Sequence, residues 1–69
     1  MTTAERIKKL RRTMCISQAE MSRALKVSVG SISCYEMGKR EPSYAIVRKI
    51  IALAKEHGIT IGLDDIRPE

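Results

Sequence analysis

Cys15, Cys34 and His57 carry the soft and imidazole ligand atoms of this chain, and their spacing suits no metal. Two cysteines 19 apart with a single distant histidine match no zinc pattern, and two cysteines do not make a disulfide scaffold. No Ser-His-Asp set, paired-carboxylate pocket or glycine-rich phosphate loop is present. The sequence therefore predicts no enzyme, no metal and no cofactor, with both thiols reduced and acting as small apolar residues. What remains is the chemistry of charge and hydrogen bonding.

Lys and Arg outnumber Asp and Glu by 13 to 8, so the chain carries a net charge of +5 and favours a polyanionic partner. Residues 1–16 hold five bases and one acid, residues 17–41 four and three, and residues 42–69 four and four. The basic face thus involves the N-terminal third. Nucleic acid and an anionic membrane surface both qualify as partners by charge. No apolar run approaches the roughly 18 to 20 residues of a membrane span, and the start MTTAERIKKLRR places charge where a secretory signal needs an apolar stretch. The expectation is a single domain over residues 1–69, soluble and cytoplasmic. With no Phe and no Trp, its core must come from Ile, Leu, Val, Met and Ala, which suits helix packing. The stacking platforms of single-strand binders are missing.

The elements that must position any binding residues follow from local signals. Ala4, Ile7, Leu10 and Met14 recur at three-and-four spacing, and Thr2 with Glu5 reads as a capping box, which predicts a first helix over residues 3–14. Ser17 with Glu20 repeats the box before a short second helix, Gln18 to Leu25, with Ala19 or Ser22 beside Met21 and Leu25 on its inner face. Ser28 caps a third helix from Val29 to Met37. It holds Ile32 and Tyr35, with Val29 a further candidate, at core spacing, and Gly38 gives a left-handed stop. Pro42-Ser43 opens a fourth helix whose stripe is Tyr44, Val47, Ile50, Ile51 and Ala54, ending by Gly58. Ile59 to Leu63 alternates as a short strand would, and residues 64–67 suit one helical turn.

Residues 18–37 therefore hold two short helices joined by about three residues, with the small Ser22 midway along the first: the geometry of a helix-turn-helix. A bulky side chain at Ser22 would push the helices apart, while Met21, Leu25, Ile32 and Tyr35 pack beneath the crossing. The later helix is then left free to enter a major groove.

The string SQAEMSRALKVSVGSISCYEMGKREPS, preceded by RIKKLRR and followed by AIVRKIIALA, resembles the lambda-repressor-like DNA-binding domains of the Cro/repressor or XRE type, over about residues 4–56. The resemblance implies an all-α, compact four- to five-helix domain with the helix-turn-helix at 18–37, allowing a short C-terminal extended segment or strand. It implies that Ser17 and Gln18 hold a DNA phosphate, and that Ser28, Val29, Gly30, Ser33 and Cys34 face the bases. Lys39 and Arg40 would grip the backbone. Arg11 would pair with Glu36 in a partly buried ion pair, and it is also a candidate phosphate contact.

Two departures stand out. Lys26 occupies the turn position that is usually Gly, which calls for a left-handed non-glycine residue at a cost of roughly 1 kcal/mol. The base-facing set contains no Gln, Asn, Arg or Lys, so the bidentate pairs that give about 1 to 3 kcal/mol of discrimination are missing, and Val29 is left as a reader of a thymine methyl.

The function implied is a sequence-specific double-stranded DNA-binding transcriptional regulator of bacterial or phage origin, a repressor acting as a homodimer on a pseudo-palindromic operator. The tail at residues 59–69 supplies the expected dimer surface through Ile59, Ile61, Leu63 and Ile66. Two alternatives share the DNA chemistry: an antitoxin-type autoregulator whose tail binds a protein partner, and a restriction-modification controller protein. Membrane-surface binding by the basic first helix is disfavoured because the core needs its apolar residues.

Overall fold

The computed structural model describes residues 1–67. Its elements are α1 (Thr3–Thr13), α2 (Gln18–Leu25), α3 (Val29–Met37), α4 (Tyr44–Glu56) and the single turn α5 (Leu63–Ile66). The first four begin where a hydroxyl side chain can satisfy a free backbone N–H. Thr2 Oγ1 accepts from the Glu5 N–H at 3.2 Å, and Glu5 Oε1 accepts from the Thr2 N–H at 3.0 Å. Ser17 and Glu20 make the same reciprocal pair, both bonds at 3.0 Å. Ser28 and Ser43 accept from Ser31 and Ile46 at 3.1 and 3.3 Å. Each such cap contributes about 1 kcal/mol. In both capping boxes the backbone N–H, with the Thr or Ser hydroxyl, holds the glutamate carboxyl below its ordinary range.

Helices α1 to α4 all end in the same way. A left-handed residue turns the chain, and the next N–H bonds back five residues: Ile16 to the Arg11 carbonyl, Val27 to Ser22, Lys39 to Cys34 and Ile59 to Ala54. The turning residues are Cys15 (φ 59), Lys26 (φ 58), Gly38 (φ 75) and Gly58 (φ 77). Lys26 takes the conformation expected of its position. Cys15 does so without any local sign of it, because a cysteine after a helix reads only as a small apolar residue.

The core joins all five helices: Ile7 and Met14, Met21 and Leu25, Ile32 and Tyr35, then Val47, Ile50, Leu53 and Ala54, and finally Ile66. Helix α3 packs on both α1 and α2, and α4 lies across α2. Ser22 is buried on α2 with its hydroxyl donating to the Ala19 carbonyl at 2.7 Å, so the polar side chain is satisfied within its own helix. The stripe of α4 is rotated from expectation. At about 100° per residue its buried arc centres on Ile50 and Ala54. Leu53 falls inside that arc, and Tyr44 falls outside it with 46% exposure.

The tail is not a strand. Residues 59–62 form no regular element, and no strand exists among the described residues. Period-two alternation needs a neighbouring ladder, and here the apolar side chains turn onto α1 and α4 instead. Ile66 is 1% exposed. Arg6 Nη1 donates to the Asp65 carbonyl at 3.1 Å, and Arg67 Nη1 donates to the Pro42 carbonyl at 3.1 Å while its guanidinium lies over the Tyr44 ring. Ile66 is thereby removed from the expected dimer surface, since the fold has already buried it. Ile59 and Ile61 are half-buried and Leu63 is exposed. Residues 68 and 69 of the tail lie outside the described residues.

Candidate nucleic-acid interface

Helix α3 has one face that the fold uses and one that it leaves open. Ile32, Tyr35 and Glu36 point inward. Val29, Ser33 and Met37, four residues apart, form an outward ridge, and Gly30 and Cys34 form the ridge beside it. Val29 is 45% exposed and Met37 61%, Gly30 is exposed, and Ser33 and Cys34 are half-buried. Three of the five expected base-facing residues, Ser28, Val29 and Gly30, are therefore exposed, and Ser33 and Cys34 are half-buried beside them. Met37 lies beside the loop that follows α3, two four-residue steps from Val29, and stays outside the core.

The hydroxyls at this surface are already engaged. Ser28 Oγ caps α3 and lies 3.0 Å from Ser31 Oγ, and Ser33 Oγ donates to Met37 Sδ at 3.4 Å. Gly30 is not a requirement of the fold, because a Cβ there would meet nothing nearer than Ser28 Oγ at 3.8 Å. A glycine inside a helix costs about 1 kcal/mol relative to alanine, and here it leaves the helix backbone open to the outside.

A buried ionic cluster fixes α3 against the first two helices. Arg11 Nε donates to Glu36 Oε2 at 2.6 Å and Nη2 donates to Oε1 at 3.1 Å, a bidentate pair whose side chains keep 14% and 3% exposure. Gln18 Nε2 donates to the same Oε1 at 3.2 Å. Burial alone pushes the Glu36 carboxyl up, but the hydrogen bonds from Arg11 and Gln18, with the charges of Arg11 and Lys8, outweigh it and hold it below the usual glutamate range. The Glu36 hydrogen bond in turn raises the pKa of Arg11. Every buried side-chain nitrogen and oxygen among the described residues has a partner.

This cluster revises the part given to Arg11. Its third nitrogen, Nη1, donates to the Ile16 carbonyl at 2.9 Å, so all of its nitrogens face inward onto the fold. The expected ion pair is present, and the geometry gives no support to Arg11 as a phosphate contact. The link from Gln18 to Glu36 had no sequence signal, since residues 18 apart on different helices meet only through tertiary packing. It uses one amide hydrogen of Gln18 and holds the start of α2 in register with α3.

Several exposed groups favour anions. Ser17 is exposed at the N-terminus of α2, where the Gln18 and Ala19 N–H groups lack intrahelical acceptors. Lys39 and Arg40 are exposed directly after α3, and the Arg40 guanidinium lies 5.9 Å from the centre of the Tyr35 ring. Lys8, Lys9 and Arg12 are exposed on α1. Among the described residues no group of three or more His, Cys, Asp or Glu side chains is placed to hold a metal ion. No helix there is long and apolar enough to cross a membrane.

Comparison with curated proteins and with solved structures finds no significant match. A family model described as Helix-turn-helix matches residues 7–61, most of the chain and the whole of the arrangement around α2 and α3. The chain belongs to the lambda-repressor-like, Cro/XRE helix-turn-helix family and is a DNA-binding transcription regulator of the XRE kind.

Proposed function

We propose that the chain is a sequence-specific regulator of the Cro/repressor type that lays α3 in the major groove of double-stranded DNA. The observation that carries this is the division of α3, held from behind by Ile32, Tyr35 and Glu36 and open in front along Val29, Gly30 and Ser33. Ser28 and Cys34 flank that front. Ser17, Gln18, Lys39 and Arg40 contact phosphates on either side, setting affinity and register while the α3 face specifies sequence.

One such module buries about 600 to 1,000 Å² of protein surface on DNA, which gives modest specificity. A homodimer on a pseudo-palindromic operator supplies the rest. Exposed Leu63, with the half-buried Ile59 and Ile61, offers the dimer surface. Bound there, the protein represses by occupying its operator, in a cytoplasm open to the nucleoid.

Selection of bound duplexes from a random library at about 0.15 M salt, where nonspecific phosphate attraction is weakened, tests the proposal. Enrichment of a pseudo-palindrome with half-site centres about one helical turn apart is expected. Binding without sequence enrichment would overturn it and leave only charge-driven attraction.

A further inference from the structure

We infer that the α3 surface recognises the C5-methyl group of pyrimidines, so that the protein reads thymine and 5-methylcytosine alike and discriminates against uracil and unmodified cytosine. This rests on the proposed placement of α3 in the major groove and goes beyond it by naming the base chemistry.

The composition of the open face carries the inference. From Val29 to Met37 its outward residues are Val29, Gly30, Ser33, Cys34 and Met37, with no amide, guanidinium, ammonium or carboxylate among them. The two hydroxyls nearest the front are engaged within the helix, Ser28 on its cap and Ser33 on the Met37 sulfur. A face of this kind has little to offer the hydrogen-bonding edges of bases. The C5-methyl of a pyrimidine is the apolar group that a major groove displays.

The exposed large apolar side chains of the described residues are Met1, Val29, Met37, Tyr44 and Leu63. Only Val29 and Met37 share an element, and they share one ridge of it. Val29 is the first residue of α3, the end that contacts bases in a helix-turn-helix, so Val29 takes the methyl. Gly30 beside it leaves room for close approach, and Cys34 and Met37 extend the apolar wall. Exposed Lys39 and Arg40 follow directly on the C-terminal end of α3, which suits a phosphate contact beside the base edge.

The test uses the duplex chosen by the selection above, remade one position at a time with T·A, U·A, 5-methylcytosine·G or C·G. At the Val29 position we expect T·A and 5-methylcytosine·G to bind alike. U·A and C·G should bind about fourfold more weakly per methyl lost, or about fifteenfold when both half-sites are changed. Val29→Ala should fold as the parent does, given its exposure, and bind all four duplexes alike. Met37→Ala should weaken binding without abolishing methyl discrimination. Equal affinity for T·A and U·A at every position of an enriched operator would overturn the inference and leave the regulator proposal intact. Failure of the selection to enrich any sequence would overturn both.

Discussion

On the inner side of α3, Ile32, Tyr35 and Glu36 keep at most 9% exposure, while on the outer side Val29 and Met37 keep 45% and 61%. The inner side also carries the charge: Glu36, with three donors from Arg11 and Gln18 converging on it. The outer side is uncharged. The arrangement inverts the usual pattern of an amphipathic helix, in which charge faces water. It shows how one nine-residue element divides its work, with the buried carboxylate setting where the helix sits and the outer atoms left free to meet DNA.

The largest test of this division is Ile32→Ala. Removing a fully buried isoleucine side chain costs about 2 to 5 kcal/mol, and in a domain of this size each kcal/mol lowers Tm by about 4 to 8 °C. Thermal melts should show the loss, and the protein that remains folded at low temperature should select the same operator. A variant melting like the parent but preferring another sequence would break the division.

Glu36→Gln comes next, at about 3 kcal/mol, because it leaves the Arg11 charge buried without its counter-charge. The operator preference should be unchanged. The same residue sets a pH dependence whose sign follows from its lowered pKa. Its contribution is fully present above the unfolded glutamate value of about 4.3 and is lost as pH falls through the lower folded value. Melting temperature should therefore drop below about pH 4.3, and less steeply in Glu36→Gln. The capping glutamates Glu5 and Glu20 titrate in the same direction and account for the slope that remains. Identical slopes in the two proteins would remove Glu36 from this role.

The smallest effect separates the faces most sharply. Gly30→Ala should raise stability by about 0.5 to 1 kcal/mol, since the new methyl has open space and a better helix propensity. It should weaken DNA binding, because the proposed docking brings DNA into that space. Opposite signs in calorimetry and in duplex titration are expected. Unchanged binding would show that the DNA does not come close to the α3 backbone.

The starts of α1 to α4 were legible because a hydroxyl and the N–H it caps lie within three residues of each other. The helix-turn-helix followed from those boundaries and from a small residue at Ser22. The left-handed turn at Lys26 was legible because the resembled family places Gly there, whereas the one at Cys15 was not, since no residue type there announces it. The tail misled because alternation at Ile59 to Leu63 resembles a strand and carries no information about a partner strand.

Local sequence thus determined the starts of α1 to α4, while the family resemblance supplied the outward residues of α3 and the pairing of Arg11 with Glu36. Tertiary structure alone decided that Ile66 closes the core between α1 and α4, that Gln18 joins the Glu36 cluster, and that Arg11 turns every nitrogen inward. The physical reason is range. Caps and helix faces are set by neighbours within about one turn, but a buried carboxylate or isoleucine takes its partners from whichever elements packing brings beside it.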